Sequence, residues 1–175
     1  MVQPFERLQM IEILILYILN RYDVTIYKIA KTIEINFFAY AKPSFGTINP
    51  ALKRLEALGC VEFISKITEG GKQSKLFSIT EFGKRHLKDL MLDAPLQNPS
   101  NILNDASVLL FCLDFLGGED RAGLLRKLSN HLNIYKIEIE KKLSDAYSDF
   151  SEHQQNVLKT TYKMTDNLIS AVEKC

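Results

Sequence analysis

A chain of 175 residues is long enough to bury a real core in one large or two small domains. An apolar share of 46% and a charged share of 25% exclude the disordered and fibrous classes, and a net charge of +1 excludes a protein that coats nucleic acid indiscriminately. The charge is uneven, with 13 Lys and Arg against 9 Asp and Glu up to Leu92 and 9 against 12 from Asp93 onward, which suits a local basic patch in the N-terminal half.

The first element is the apolar run MIEILILYIL, interrupted by Glu12. It is too short to span a bilayer and lacks the small-residue cleavage site of a signal peptide, so residues 6–20 read as a helix buried on all faces. Ile26, Ile29, Ala30 and Ile33 then keep helical spacing, with Asp23 upstream as a cap. The connector EINFFAYAKP holds Phe37, Phe38 and Tyr40 and ends in Pro43, which biases Lys42 away from helix. Three aromatics in a connector read first as core; the functional alternative is a pocket for a small aromatic effector.

The segment SFGTINPALKRLEALGC carries the clearest helix. Ile48, Ala51, Leu52, Leu55 and Leu58 form one apolar stripe, and at about 100° per residue the opposite face falls on Gly46, Asn49, Lys53 and Ala57. Thr47 and Arg54 flank that face on one side and Glu56 on the other. Ser44 or Thr47 supplies the N-cap oxygen, Pro50 is placed in the tolerant first turns, and Gly59 fits a left-handed C-cap. A helix with short, polar side chains at its start can bring its backbone close to base edges in a DNA major groove. An ordinary amphipathic helix with a polar solvent face has the same pattern, so the neighbouring elements decide.

After Gly59 the period changes to that of strands. CVEFISKI and KLFSIT, joined by TEGGKQ, make residues 60–79 a β-hairpin, with Gly70 and Gly71 at the turn and Lys72 and Lys75 as its cations. A basic hairpin directly after a reading helix is a wing, suited to phosphate or minor-groove contact. Thr80 caps a helix to about Met91, and the turn-rich DAPLQNPS divides the chain into domains at 1–92 and 93–175. Beyond it, Ile102, Leu103, Ala106, Leu109, Leu110 and Leu113 give one helix, stopped at Gly117 and Gly118. Leu125, Leu128, Leu132, Tyr135, Ile139, Ala146 and Phe150 give a long second one. Leu158, Tyr162, Thr165, Ile169 and Val172 have the spacing of a coiled-coil seam, and three such helices make a thin core for one subunit, so the stripes are expected to bury against a second copy.

The expected fold class is therefore mainly α with a small β-hairpin, a winged helix-turn-helix domain followed by an α-helical dimerisation domain. Nothing points to catalysis: His86, His131 and His153 lie in helical patterns among polar neighbours, and no Gly-rich phosphate loop follows a strand. Cys60, Cys112 and Cys175 form no CxxC and find no His at metal spacing, so they read as free thiols of a cytoplasmic protein without metal or cofactor.

In its order of elements the chain resembles the PadR family of bacterial transcriptional regulators. PALKRLEALG is similar to the family's Tyr-Pro-Ala-Leu-x-Arg-Leu-Glu-x-x-Gly, GKQSKLFSITEFGK to its Gly-Arg-Pro-Arg-Lys-Tyr-Tyr-x-Leu-Thr-x-x-Gly wing, and Tyr27-Lys28-Ile29 to its Gly-Tyr-Glu-Ile. The Pro-rich joint and helical second half are similar to the longer members, including the virulence activator branch. Asn49 stands where the family has Tyr, and Gln73 and Ser74 replace the wing's Pro and second cation. The resemblance implies a homodimeric repressor, held together by its C-terminal helices, that binds a double-stranded DNA operator and is released by a small aromatic effector. On the reading of the helix face and the wing, the expected DNA contacts are Ser44, Gly46, Thr47, Asn49, Lys53, Arg54, Lys72 and Lys75, and Phe37, Phe38 and Tyr40 are the candidates for an effector pocket. The competing reading is a winged helix that binds another protein through the C-terminal helices and leaves DNA alone.

Overall fold

The structure, a computed structural model, describes residues 4–67, 73–145 and 149–175, with the backbone alone for residues 4–8. It divides into two compact units, Met1–Ala94 and Pro95–Cys175.

The first unit is built around α1 (Pro4–Leu19). Every residue from Ile13 to Leu19 is buried, because α2 (Ile26–Asn36), α3 (Phe45–Ala57) and α4 (Glu81–Leu92) all pack on this helix. The all-round apolar pattern is the sequence counterpart of that central position. The N-cap of α2 is Thr25, not Asp23: its hydroxyl accepts the Lys28 N–H at 3.3 Å. Strands β1 (Val61–Ile67) and β2 (Gln73–Ile79) pair antiparallel in the register Val61↔Ile79, Phe63↔Phe77, Ser65↔Lys75. The turn signals Gly70 and Gly71 lie outside the described residues. Val24 forms an isolated bridge with Phe77 through hydrogen bonds of 3.1 and 2.9 Å, which ties the α1–α2 link to the wing.

Helix α3 buries Ile48, Ala51, Leu52 and Leu55 as its period requires. Leu58 does not follow the stripe; it is the C-cap residue and is exposed. Gly59 takes a φ of 72°, its N–H bonds to the Glu56 carbonyl at 2.9 Å, and the Cys60 N–H bonds to that of Leu55 at 2.8 Å. This paired closure of the last turn needs a left-handed residue, which Gly provides without strain. Pro50 lies inside α3 rather than at its first residues, so the Gly46 carbonyl loses its intrahelical donor. Thr80 caps α4 by accepting the Gly83 N–H at 3.0 Å and donates its own hydroxyl to the Gly59 carbonyl at 2.6 Å.

The second unit comprises α5 (Ile102–Phe111), a 3-10 turn (Leu113–Phe115), α6 (Gly118–Ser144) and α7 (Glu152–Glu173). Helices α6 and α7 are antiparallel partners: Lys136 pairs with Asp166, and Arg121 Nη2 donates to the Cys175 carbonyl at 3.1 Å. Helix α6 ends sooner than its expected stripe; Ala146 falls outside the described residues, and Phe150 precedes α7. Leu124, rather than Leu125, is the fully buried residue of its first turns. On α7 the seam residues Thr165, Ile169 and Val172 are already buried within the chain, where α7 packs on α5 and α6. Leu158 and Tyr162, the other two seam residues, are half-buried, so contrary to expectation three of the five seam residues need no second copy to cover them. A capping box starts α7, the Ser151 hydroxyl accepting the Gln154 N–H and the Gln154 side chain accepting the Ser151 N–H.

Cys60 and Cys112 are buried and Cys175 is exposed. Burial pushes the Cys60 thiol up, with the nearby Glu12 carboxylate adding to it, so this sulfur stays protonated and inert. Among the described residues no helix is long and apolar enough to cross a membrane.

Candidate nucleic-acid interface

The phase of α3 that buries Ile48 and Leu52 turns Gly46, Asn49 and Lys53 outward, and all three are exposed. Phe45 opens the helix and is 51% exposed. Because the spacing is four residues each time, Phe45, Asn49 and Lys53 form one ridge: an aromatic ring, an amide and a cation. Ser44 is the N-cap residue, but its hydroxyl makes no backbone cap bond; it lies 3.2 Å from the Thr47 hydroxyl. Thr47 is half-buried. Apart from Phe45, the start of α3 is therefore small, exposed and short of a side-chain capping acceptor, and its dipole favours an anion there.

Arg54 is placed differently from the DNA contact expected of it. Its Nε and Nη2 reach Oε1 of Glu12 on α1 at 2.9 and 2.8 Å, and the Glu12 side chain is only 13% exposed. The guanidinium is paired with Glu12 across the α1–α3 packing. Glu12, which looked like a defect in an apolar run, is the other half of this clamp; 42 residues separate the two, and no local pattern links them.

On the wing, the Lys75 ammonium sits 3.5 Å from the centroid of the Phe63 ring, an attraction that holds it on the hairpin. Lys72 lies outside the described residues. Two further cations, Lys28 on α2 and Lys42 before α3, are exposed as well. Lys31 pairs with Glu34 at 3.0 Å, which raises the lysine's pKa and lowers that of the carboxyl.

The three connector aromatics do not converge on a pocket. Phe37 is core, 1% exposed and edge-on to Tyr17 with ring centroids 6.2 Å apart, whereas Phe38 is 77% exposed. Tyr40 is at the surface as well. The concavity in this region is instead an open groove of about 250 Å³ between α2 and the start of α3, bordered by Tyr27, Lys31, Lys42, Pro43 and Phe45.

The profile described as the transcriptional regulator PadR-like family matches residues 15–89. Among solved structures, smu.1704 from Streptococcus mutans UA159 is similar at 31% identity over 51% of this chain and 79% of that one, with a TM-score of 0.42. Bacillus subtilis PadR in complex with operator DNA is similar at 18% identity over 93% of this chain and 94% of that one, with a TM-score of 0.47. The Vibrio cholerae virulence activator AphA is similar at 18% identity over 94% of each chain, with a TM-score of 0.40. Comparison with curated protein sequences finds no match.

Proposed function

The chain belongs, through residues 15–89, to the PadR-like family of transcriptional regulators, and we propose that within this family of DNA-binding regulators it is a sequence-specific repressor released by a small-molecule effector. The protein is a regulator and not an enzyme. The observation that carries the reading is the exposed ridge of α3: its amide and cation point away from the core, while the one arginine of the helix is held inward by Glu12.

In this account α3 enters the major groove. Asn49 is suited to bidentate contact with an adenine edge, and Lys53 sits one turn further on. Gly46 lets the backbone approach, and the hydroxyls of Ser44 and Thr47 complete the start of the helix. Lys75 on the wing takes a phosphate or the minor groove, which positions the reader without specifying sequence. Asn49 replaces the tyrosine of the family pattern, so the preferred operator differs from the family's usual one. Release by an aromatic compound follows the family resemblance; Phe37, as a core residue, has no part in such a site. The place of action is the cytoplasm.

Repression from a two-fold operator requires a dimer, and in this reading its surface lies on the second unit. With Thr165, Ile169 and Val172 spent inside the chain, exposed large apolar side chains among the described residues of this unit include Ile134 and Ile137 on α6 and Val157 and Met164 on α7, between 49% and 65% exposed. Sedimentation at micromolar concentration is expected to give a dimer, and the double substitution Ile137→Glu with Met164→Glu a folded monomer. A monomeric wild-type chain would remove the geometric reason for a symmetric operator.

The test of the function as a whole is selection of duplexes from a random pool by the purified protein, followed by salt titration of binding. A defined motif and an affinity that falls steeply with salt are expected. Salt-independent recovery of unrelated sequences would favour the protein-binding alternative.

A further inference from the structure

Phe45 is a large apolar side chain left 51% exposed at the first residue of α3, and Tyr27 on α2 is 67% exposed. The two rings stack on each other, with centroids 6.4 Å apart and an interplanar angle of 20°. Two exposed aromatics in an offset, near-parallel stack at the surface bury little from water, so their packing alone does not account for their position. The ring of Phe45 heads the ridge that continues through Asn49, four residues on. At the helical rise, that spacing is about 6 Å, close to two base steps. The groove between α2 and the start of α3 opens beside the pair, with Lys42 on its border.

We infer that Phe45 is a second base-reading side chain, whose ring packs on the C5-methyl of a thymine within about two base steps of the base that Asn49 contacts. Tyr27 is its positioning residue: it backs the ring from α2 and fixes the ring's direction. Lys42, on the edge of the adjoining groove, faces the phosphate of the same strand. The inference rests on the proposal that α3 lies in the major groove, and deepens it by assigning an apolar contact that the polar pattern of the helix did not suggest. Hydrogen bonds alone leave thymine marked by a single acceptor in this groove; a methyl contact makes it distinct.

The experiment uses the full-length protein and the duplex it selects from a random pool. Each thymine is replaced in turn by deoxyuridine, which removes the methyl group and keeps every hydrogen bond. One thymine per half-site should weaken wild-type binding by about fourfold, the effect of losing roughly one buried methyl group. Phe45→Ala should bind the thymine and uracil duplexes equally, while Phe45→Leu should keep part of the preference. Tyr27→Ala should reduce the preference, and Tyr27→Phe should preserve it. Thermal unfolding of each variant shows that the unit remains folded. Uniform tolerance of uracil by the wild type, or an unchanged preference in Phe45→Ala, overturns the inference while leaving the reading by Asn49 intact. Failure of the wild type to bind any duplex overturns the major-groove proposal itself, and with it the inference.

Discussion

Gly83→Ala is expected to destabilise the N-terminal unit by more than about 3 kcal/mol, a large share of the roughly 5–15 kcal/mol that holds a domain folded. A β-carbon at this position would lie 2.0 Å from the Cys60 carbonyl oxygen and 2.8 Å from Cγ1 of Ile79. The first of these neighbours is backbone at the start of the wing, directly after the left-handed turn at Gly59, and cannot swing aside as a flexible side chain would. The Gly83 N–H also closes the Thr80 cap, so displacing the helix would break that bond and the Thr80 link to the Gly59 carbonyl together. Gly59→Ala is the informative comparison. Its β-carbon meets nothing within 4 Å, but its φ of 72° disfavours any L side chain, so a smaller loss of about 1 kcal/mol follows from conformation alone. Urea denaturation of the two variants should rank them in that order. Near-wild-type stability of Gly83→Ala would mean that α4 does not approach the wing as closely as the structure has it.

Glu12→Ala is expected to cost about 2 kcal/mol. Removing one member of a fully buried ion pair costs about 3 to 5 kcal/mol because the other charge stays behind uncompensated. Here the Glu12 side chain is 13% exposed but that of Arg54 is 41% exposed, so water recovers part of the loss and the lower figure applies. Arg54→Ala should destabilise to a similar degree, and the double variant should cost less than the sum of the two, since neither change then orphans a charge. On scrambled duplex DNA, Arg54→Ala should leave the salt slope unchanged, whereas Lys53→Ala should flatten it by about one unit per subunit. A flattened slope for Arg54→Ala with no loss of stability would return that residue to the DNA contacts.

The parts of the fold that periodicity dictates were legible in the sequence. Ile48, Ala51, Leu52 and Leu55 are buried because their spacing matches the helical turn, and the outward direction of Asn49 and Lys53 follows from the same phase. Gly59 and Thr80 announce their caps by residue type, and the alternation of CVEFISKI marks a strand. What was not legible depends on partners distant in the chain. The Glu12–Arg54 pair spans 42 residues. The Val24–Phe77 bridge comes from a loop with no strand pattern around it, and the stack of Phe45 on Tyr27 joins two helices. Phe37 and Phe38 are neighbours of the same chemistry, and only the packing against Tyr17 decides that one enters the core and the other remains in water. On α7, the spacing of Thr165, Ile169 and Val172 specified an apolar seam but not whose helix would cover it.

The central claim is that α3 reads bases and the wing only positions it. Salt titrations of Asn49→Ala and of Lys75→Ala, each on the selected operator and on a scrambled duplex, test it most directly. Asn49→Ala should lose about 1 to 3 kcal/mol on the operator and little on the scrambled duplex. Lys75→Ala should weaken both alike and flatten both salt slopes by about one unit per subunit. If Asn49→Ala lowers the two affinities equally, or lowers neither, then α3 is not the reading element and the account is contradicted.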